Sequence, residues 1–302
     1  MVTAPRHTSW AAAGQLDRAD EHRDNPEWVR SLWYADDARL VKITADSQLA
    51  VTKDGSRLVA TKPFVDHDAQ RHVFLGLVGD TPWFAVEAVL DPPVRTLREL
   101  GDVLTPLDQE LAVVTTAVTN WHRTAPMCAA CGQPTEVING GFARTCPHCG
   151  REHFPRTDPA VIVAVVDEDD RLLLARSAAW AESRVSVLAG FVEAGESFEQ
   201  AVHREIAEES DLRLSDMHYF GSQPWPFPRS IMVGFFARAA TTEIAIDDDE
   251  IVYADWFTRE RLDSEIAAGT LTLPGTASIA HRLITSWRDG SHPLARAVAS
   301  LS

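Results

Sequence analysis

The stretch GFVEAGESFEQAVHREIAEESDL, residues 190–212 of a 302-residue chain, decides the fold. It opens with a glycine-containing loop and then carries apolar residues at helical spacing. Ser197 is a suitable N-cap, and Gln200 completes a capping box three residues later. The pattern therefore predicts a loop followed by a helix over residues 197–210.

Three glutamates of this helix, Glu205, Glu208 and Glu209, fall within one arc when each residue advances by about 100°. The same arc holds apolar residues, whereas Arg204 and Ser210 fall on the opposite arc. Like charges at this spacing repel one another, and partial burial makes the repulsion worse. A divalent cation is therefore expected, and Mg²⁺ or Mn²⁺ fits best because hard cations take oxygen ligands. A solvated acidic helix is the alternative.

The four cysteines of the chain form two CxxC pairs, each followed by a glycine. This spacing lets four thiolates converge on one tetrahedral Zn²⁺ with no open coordination position, which predicts a structural site. The expected ligands are Cys128, Cys131, Cys146 and Cys149. His148, inside the second pair, is expected to be exposed rather than a fifth ligand. A redox dithiol and buried free cysteines are the alternatives, but a redox CxxC needs a βαβ unit.

The charge of the chain bears on its partners. With 28 Lys and Arg against 44 Asp and Glu, the net charge is −16. This charge repels nucleic-acid backbones unless a local patch or bound metal reverses the field, so a general nucleic-acid-binding role is disfavoured. No apolar run approaches the roughly 18 residues of a membrane span, and the N-terminal residues show no export signal. We therefore expect a cytoplasmic protein, without a membrane and without a secreted disulfide scaffold.

Working outward from the quoted stretch, the pattern predicts three domains. The first, residues 1–124, is an α+β domain with strands at 40–43, 73–77 and 83–89 and a helix from Thr105 to about His122. The second is the zinc ribbon, residues 125–154. The third, residues 155–302, begins with an apolar run at 160–166 that is typical of a strand buried on both faces. Its further strands are expected at 172–175, 185–188, 231–237 and 251–258, and its last helix at 277–287.

Residues 190–212 resemble the Nudix box, GX5EX7REUXEEXGU with U a bulky aliphatic residue, at every defined position but one. The resemblance implies an α/β/α sandwich with a mixed sheet that carries a metal-dependent hydrolase site. It implies that Glu205 and Glu209 coordinate the metals, and that Glu208 binds metal or acts as general base on the attacking water. It also implies that Arg204 holds the carboxylates in place and that the backbone carbonyl of Ala189 is a further metal ligand.

Asp211 stands where the Nudix box has glycine. Glycine suits a left-handed helix end, which aspartate enters less easily, and a carboxylate near a helix C-terminus is unfavourable by roughly 0.3–1 kcal/mol. We expect lower stability or activity from this change. Catalysis itself should remain, because no metal-binding carboxylate is lost.

The segment SQPWPFPRS, residues 222–230, is similar to the SQPWPFPxS array of the NADH pyrophosphatase branch of the Nudix family. In that branch the array selects substrates that contain nicotinamide. Its prolines are expected to hold two aromatic rings in an extended, preorganised segment on which planar rings stack. A rigid loop packed on the core is the alternative. The resemblance implies substrate binding by Gln223, Pro224, Trp225, Pro226, Phe227, Pro228, Arg229 and Ser230.

Four further positions carry less specific resemblances. Phe154 resembles a nucleotide-contacting aromatic position of this branch, and Phe191 in the glycine loop is a second stacking candidate. Glu250 resembles a late carboxylate that completes the metal cluster, although its acidic run, residues 247–250, is also typical of a solvated turn. Ala280 resembles a minor substrate contact.

Together the motifs predict metal-activated hydrolysis of the pyrophosphate of NADH or NAD⁺, giving a nicotinamide mononucleotide and AMP. The family also implies removal of NAD from RNA 5′ ends, and a homodimer. One alternative is a Nudix hydrolase of another nucleoside diphosphate derivative, such as ADP-ribose. The other is a zinc-ribbon nucleic-acid-binding regulator with a ligand-sensing Nudix domain, against which the intact glutamates count.

Overall fold

The computed structural model describes residues 13–101, 103–246 and 249–295. The predicted lack of an export signal falls on the first residues of the chain, which lie outside the described part. The described residues form two compact units. The C-terminal unit comprises Asp158–Gln223 and residues 230–295, and the N-terminal unit comprises residues 13–157 and Pro224–Arg229. The predicted division into three domains stays a prediction.

The N-terminal unit is built on a mixed sheet. Its elements up to residue 124 are α1 (Pro26–Trp33), β1 (Arg39–Ile43), β2 (Gln48–Ala50), β3 (Ala60–Thr61), β4 (Val73–Val78), β5 (Thr81–Glu87), β6 (Val94–Thr96), α2 (Leu97–Leu100) and α3 (Pro106–Thr124). The strand order is β4-β5-β1-β2-β6, with β3 beside β1. Strands β1, β4 and β5 confirm the three predicted strands, and β5 begins and ends two residues early.

Helix α3 confirms the predicted start signal. Thr105 caps the helix by accepting a hydrogen bond from the backbone N–H of Asp108, and Pro106 occupies the first turn. A proline is tolerated there because its missing N–H has no helical partner. The zinc ribbon follows as a three-stranded antiparallel sheet of β7 (Glu136–Ile138), β8 (Ala143–Thr145) and β9 (Glu152–His153).

The C-terminal unit contains the second sheet. Its elements are β10 (Asp158–Val166), β11 (Leu172–Ser177), β12 (Leu188–Phe191), α4 (Phe198–Ser210), β13 (Leu214–Trp225), β14 (Ser230–Ala239), β15 (Ile251–Phe257), α5 (Arg259–Ala267) and α6 (Ile279–Arg288). The strand order is β13-β14-β10-β11-β15, with β12 beside β10. The sheet is mixed because β10 runs parallel to β14 but antiparallel to β11 and β12.

Strand β10 explains why this unit has three layers. Its alternate residues belong to two separate hydrophobic clusters, so both faces of the strand are buried as the apolar run predicts. Val161, Val163 and Val165 pack with α4, whereas Ile162, Ala164 and Val166 pack with α6. The two helices therefore cover opposite faces of the sheet, which confirms the predicted α/β/α sandwich.

Three elements of the C-terminal unit depart from the prediction. The strand expected at 185–188 is displaced to β12, because only Leu188 of that range pairs with β10 while Ser186 forms an isolated bridge to Ala175. Strand β13 and helix α5 were not predicted. β13 lies at the edge of the sheet and buries few side chains, so its sequence lacks an apolar pattern.

The helices can also be compared with the length and hydropathy that a membrane span requires. None of those in the described residues meets both requirements.

Candidate active site and zinc ribbon

The four cysteine thiols converge at the tip of the zinc ribbon. The Sγ atoms of Cys128 and Cys131 lie 3.6 Å from that of Cys149, and those of Cys131 and Cys146 lie 3.5 Å apart. Tetrahedral Zn–S bonds of about 2.3 Å place sulfur atoms about 3.8 Å apart, so the spacing fits a zinc ion and not a disulfide. The predicted structural zinc site is therefore supported by its donor set.

Each CxxC pair folds into a knuckle closed by its glycine. Gly132 N–H donates to the carbonyl of Cys128 and Gly150 N–H to that of Cys146, at 2.9 and 2.8 Å. Both glycines have φ near +70°, a conformation that favours glycine. His148 is exposed, as expected. His153, which the sequence pattern did not indicate, has its Nε2 3.2 Å from the Cys128 sulfur.

The glycine loop is shaped around one carboxylate of helix α4. A Cβ placed on Gly190 would come under 3.0 Å from all three carboxylate atoms of Glu205, closer than real Cβ atoms approach. A larger residue at position 190 would therefore require the Glu205 carboxylate to move from this place. The loop is fixed at its far end by Glu196, whose Oε2 accepts the backbone N–H of Glu193 at 2.9 Å.

Arg204 joins the loop to the helix. Its Nε and Nη2 donate to the two carboxylate oxygens of Glu196 at 2.7 and 2.9 Å, and Nη2 also donates to the carbonyl of Phe191 at 2.9 Å. Its Nη1 donates to Glu205 and Glu208 at 2.8 and 2.9 Å. The guanidinium thus contacts three carboxylates at once, and these bonds raise its pKa, that to Glu196 most strongly.

Glu196 is a site residue for which no role was predicted from sequence. Its signal was its fixed place in the box, six residues after Gly190 and eight before Arg204. The hydrogen bonds from Arg204 and from the backbone of Glu193 lower the pKa of Glu196 to about 2. It is therefore an ionised partner of Arg204, and its bonds hold the loop.

Helix α4 begins as predicted. Ser197 accepts from the backbone N–H of Gln200 at 3.2 Å, and the Gln200 side chain accepts from the backbone N–H of Ser197 at 2.8 Å. The prediction that Arg204 and Ser210 lie on the opposite side of the helix from the glutamates is wrong. Ser210 is fully buried, with its hydroxyl donating to the carbonyl of Ile206, and Arg204 reaches the carboxylates from the side of the helix.

The three glutamates of α4 differ in burial. Glu208 is 60% exposed, whereas Glu205 is 15% and Glu209 is 9% exposed. Burial raises the pKa of Glu205, the Arg204 guanidinium opposes this shift, and the charges of Glu208 and Glu250 add to it. Glu250, just before β15, is therefore close enough to act on Glu205 although it is itself exposed.

The carboxylates are more widely spaced than the thiolates. Among the residues that the structure describes, the four cysteines form the one group of three or more His, Cys, Asp or Glu side chains close enough to hold a metal ion, and their ligand atoms all lie within 4.8 Å of one another. Ala189, predicted to give a carbonyl ligand, lies in β12 opposite Ile162. The roles of these predicted metal ligands stay predictions. Asp247 and Asp248 of the acidic run lie outside the described residues.

Two predicted stacking residues are exposed aromatic side chains. Phe191 ends β12 and is 58% exposed, and Phe154, just after β9, is 55% exposed. Because both rings are exposed, both are available to a planar ligand. Ala280 is instead buried in α6 within the core, where its side chain packs with the sheet. Its predicted minor contact has no further support.

The SQPWPFPRS segment is a strand end followed by a turn, so the expected extended conformation reaches only Trp225. Residues 226–229 form the turn, the Phe227 N–H donates to the carbonyl of Trp225 at 2.7 Å, and the Phe227–Pro228 peptide bond is cis. Three side chains of the segment are buried and three are exposed. Gln223, Pro226 and Ser230 are the buried ones, and Pro224, Pro228 and Arg229 are the exposed ones.

Gln223 anchors the end of β13 within the C-terminal unit. Its side-chain nitrogen Nε2 donates to the carbonyl of Ala277, and its Oε1 accepts from the backbone N–H of Ile279, both at 2.7 Å. Both ends of the amide are therefore bonded to the start of α6. The side chain fixes the segment, and its predicted contact with substrate stays a prediction.

Asp211 adopts the conformation that the missing glycine would take. It ends α4 with φ 55° and ψ 18°, in the left-handed region, and its N–H donates to the carbonyl of Ala207 at 2.9 Å. The helix end of the Nudix box is thus preserved in geometry. Aspartate has a steric cost in this left-handed conformation that glycine does not have.

Comparison with known proteins agrees with this geometry. A family profile described as the NUDIX domain matches residues 156–273, and one described as the NADH pyrophosphatase zinc ribbon domain matches residues 123–154. The NAD-capped RNA hydrolase NudC of Mycobacterium bovis is 42% identical over 289 residues, 90% of this chain and 92% of that protein. Human NAD-capped RNA hydrolase NUDT12 is 37% identical over 212 residues, 66% of this chain and 45% of that protein.

The family motifs lie inside the matched ranges, and a solved structure is similar in part. The NUDIX hydrolase from Nitrosomonas europaea aligns with a TM-score of 0.45 at 17% identity, covering 54% of this chain and 90% of that one. The Nudix box and the SQPWPFPRS segment both fall inside the range matched by the first profile. The four cysteines fall inside the second. The chain therefore belongs to the Nudix hydrolase family, in the NudC group that carries the NADH pyrophosphatase zinc ribbon.

Proposed function

We propose that this chain is an NAD(H) diphosphatase that hydrolyses the pyrophosphate of NADH and NAD⁺ to a nicotinamide mononucleotide and AMP. The observation that carries the proposal is the intact carboxylate site, in which Gly190 makes room for Glu205 and Arg204 bonds to Glu196, Glu205 and Glu208. The SQPWPFPRS segment and the NudC relatives support the nicotinamide substrate. Because those relatives are named NAD-capped RNA hydrolases, removal of NAD from RNA 5′ ends is part of the proposal.

The residues present fit a hard divalent cation, Mg²⁺ or Mn²⁺. The donor set is all oxygen, and Gly190 leaves room for the Glu205 carboxylate, which is mostly buried. We propose Glu205, Glu209, Glu250 and the Ala189 carbonyl as ligands, with Glu208 either a further ligand or the base that accepts a proton from the attacking water. The bound metal would neutralise phosphate charge and lower the pKa of water.

The side chains of the site have three further proposed roles: proton transfer, orientation of the carboxylates and stacking on the substrate. Glu208 is the most exposed carboxylate of α4 and is the proposed acceptor of the proton from the attacking water. Arg204 keeps Glu205 and Glu208 oriented through the bonds of its Nη1. Phe191 and Phe154 are the proposed stacking partners for the flat groups of the substrate.

Other parts of the proposal rest on resemblance. We propose a homodimer and the three domains predicted from sequence, because the family resemblance implies them. The cytoplasmic location predicted from sequence is also part of the proposal. Two rival functions stay open. A preference for ADP-ribose is opposed by the SQPWPFPRS segment, and a non-catalytic regulator is opposed by the intact glutamates.

A hydrolysis panel tests the proposal. NADH, NAD⁺, ADP-ribose and NAD-capped RNA are each incubated with the protein and Mg²⁺ or Mn²⁺, and the products are separated. NADH should give AMP and reduced nicotinamide mononucleotide in equal amounts. ADP-ribose cleavage without NADH cleavage would favour the first rival, and no cleavage of any compound would favour the second.

A further inference from the structure

The turn of the SQPWPFPRS segment is held by residues from outside the segment. Pro224–Arg229 belongs to the N-terminal unit. The Arg98 guanidinium carbon lies 4.4 Å from the centre of the Phe227 ring and 5.5 Å from that of the Trp225 ring. The two rings lie 5.0 Å apart at an interplanar angle of 72°. One cation therefore contacts both aromatic side chains of the motif.

Asn120 of α3 holds the residue between the two rings. Its Nδ2 donates to the carbonyl of Pro226 at 3.2 Å. Its Oδ1 accepts from the Ser47 hydroxyl and from Arg123 Nη2, both at 2.8 Å. Because two donors fix the oxygen, the amide nitrogen faces Pro226 and the orientation of this side chain is determined.

The turn also packs on the core of the N-terminal unit. Phe227 lies against the hydrophobic cluster that includes Leu97, Leu100 and Leu104. Arg98 lies between the first two of these residues in α2, whose start is fixed by a capping box of Thr96 and Glu99. Arg98 is thus presented to the rings by a short helix that is itself capped.

We propose that Arg98 and Asn120 are positioning residues that fix the Trp225 and Phe227 rings, and that they influence the preference for nicotinamide substrates through this segment. The inference rests on the proposed function and deepens it. A turn already held in place loses less conformational freedom when a substrate binds, so its binding contacts are stronger. An arginine on the rings also leaves fewer ring faces open, which restricts what can stack there.

The test compares two substrates that share adenosine and pyrophosphate. NADH carries nicotinamide and ADP-ribose lacks it. Arg98→Ala should raise KM for NADH about fivefold, the loss expected for an exposed cation–π contact of ~1 kcal/mol, and leave kcat and ADP-ribose hydrolysis nearly unchanged. Asn120→Asp keeps the acceptor for Ser47 and Arg123 but removes the donor to Pro226, and should act in the same direction.

The controls separate positioning from stability. Arg98→Lys keeps the charge and should recover part of the NADH affinity, and Arg95→Ala removes an exposed arginine of β6 that contacts neither ring. Equal loss on both substrates would mean a general structural effect and would overturn the proposal. Unchanged KM for NADH would overturn it as well.

A fluorescence measurement, which needs no turnover, tests the positioning role separately from the proposed function. Trp225 fluorescence is obtained as the difference between each protein and the same protein carrying Trp225→Phe. Arg98→Ala should increase quenching of this signal by acrylamide, and Arg95→Ala should not. If the wild type cleaves neither NADH nor ADP-ribose the proposed function fails, whereas unchanged quenching in Arg98→Ala contradicts the positioning role alone.

Discussion

The guanidinium of Arg204 holds both carboxylate oxygens of Glu196, with Nε 2.7 Å from Oε1 and Nη2 2.9 Å from Oε2. Two parallel charge-assisted bonds fix direction as well as distance, which a single ion pair does not. The remaining nitrogen of the same group, Nη1, contacts Glu205 and Glu208. The position of the glycine loop and the orientation of two proposed catalytic side chains therefore depend on one pair of residues.

Glu196→Gln tests this dependence. The amide can accept only one of the two bonds from Arg204, so the guanidinium loses its fixed direction and kcat should fall about tenfold to a hundredfold. Steady-state hydrolysis of NADH at saturating Mg²⁺ measures the change. Glu199→Gln is the matched control, since Glu199 is an exposed glutamate in the first turn of α4. Wild-type kcat in the Glu196 variant would contradict the role of the pair.

Glu208→Gln tests the proposed proton acceptor. The variant keeps the size of the side chain but cannot accept a proton, so kcat should fall about 10²- to 10⁴-fold while KM changes little. Because Glu208 is exposed, the melting temperature should stay close to that of the wild type. Near wild-type turnover would assign proton transfer to another group.

Gly190→Ala tests the fit between loop and helix. The added methyl group would overlap the Glu205 carboxylate, so this side chain must move and kcat/KM should fall about a hundredfold. The Mg²⁺ concentration for half-maximal activity should rise. Gly275→Ala is the control, because no atom would lie within 4 Å of its Cβ. Equal metal dependence in the two variants would argue against the fit between Gly190 and the Glu205 carboxylate.

Asp211→Gly should stabilise the protein by about 1 kcal/mol. Glycine has no steric penalty in the left-handed conformation, and the change removes a negative charge from the C-terminus of α4. Asp211→Asn removes the charge alone and should give part of the gain. Chemical unfolding measures both, and a glycine variant no more stable than the wild type would show that Asp211 fits this position without strain.

His122 should make the protein sensitive to acid. Burial, together with the charge of Arg144, lowers the pKa of His122 to about 4, despite its bond to the Gly141 carbonyl. The folded pKa is below the unfolded value of about 6.5, so the unfolded chain binds more protons between these values. The stabilisation is therefore complete above pH 6.5 and is lost as the pH falls towards 4, by up to about 3 kcal/mol.

Unfolding in urea at pH 7.5 and pH 5, with zinc in excess, measures this sensitivity. His122→Gln should lose less stability between the two pH values than the wild type, since glutamine does not titrate. His148→Gln is the control because His148 is exposed. The same loss in all three proteins would assign the acid sensitivity to other groups.

The sequence predicted those parts of the fold that have a strong local cause. The capping box of Ser197 and Gln200, the Thr105 and Pro106 start of α3, and the doubly buried strand β10 depend on neighbours within a few residues, and all were confirmed. Edge strand β13 was missed because its burial is slight, and its position comes from pairing with residues far along the chain.

The candidate site shows the same limit. Its acidic residues could be named from spacing, but the partners of Arg204 could not, because a helical wheel places side chains by direction and ignores how far a long arginine reaches. Arg98 and Asn120 lie about a hundred residues or more before the turn that they hold. No local pattern connects them to it, so only the folded chain reveals the contact.

With one nitrogen of Arg204 bonded to both Glu205 and Glu208, the acidic side of α4 carries its own positive charge. A newly made chain can therefore complete this helix before it meets a divalent ion. A divalent ion would then bind to side chains on a helix that already exists, so metal supply would control when the enzyme works and not whether it folds.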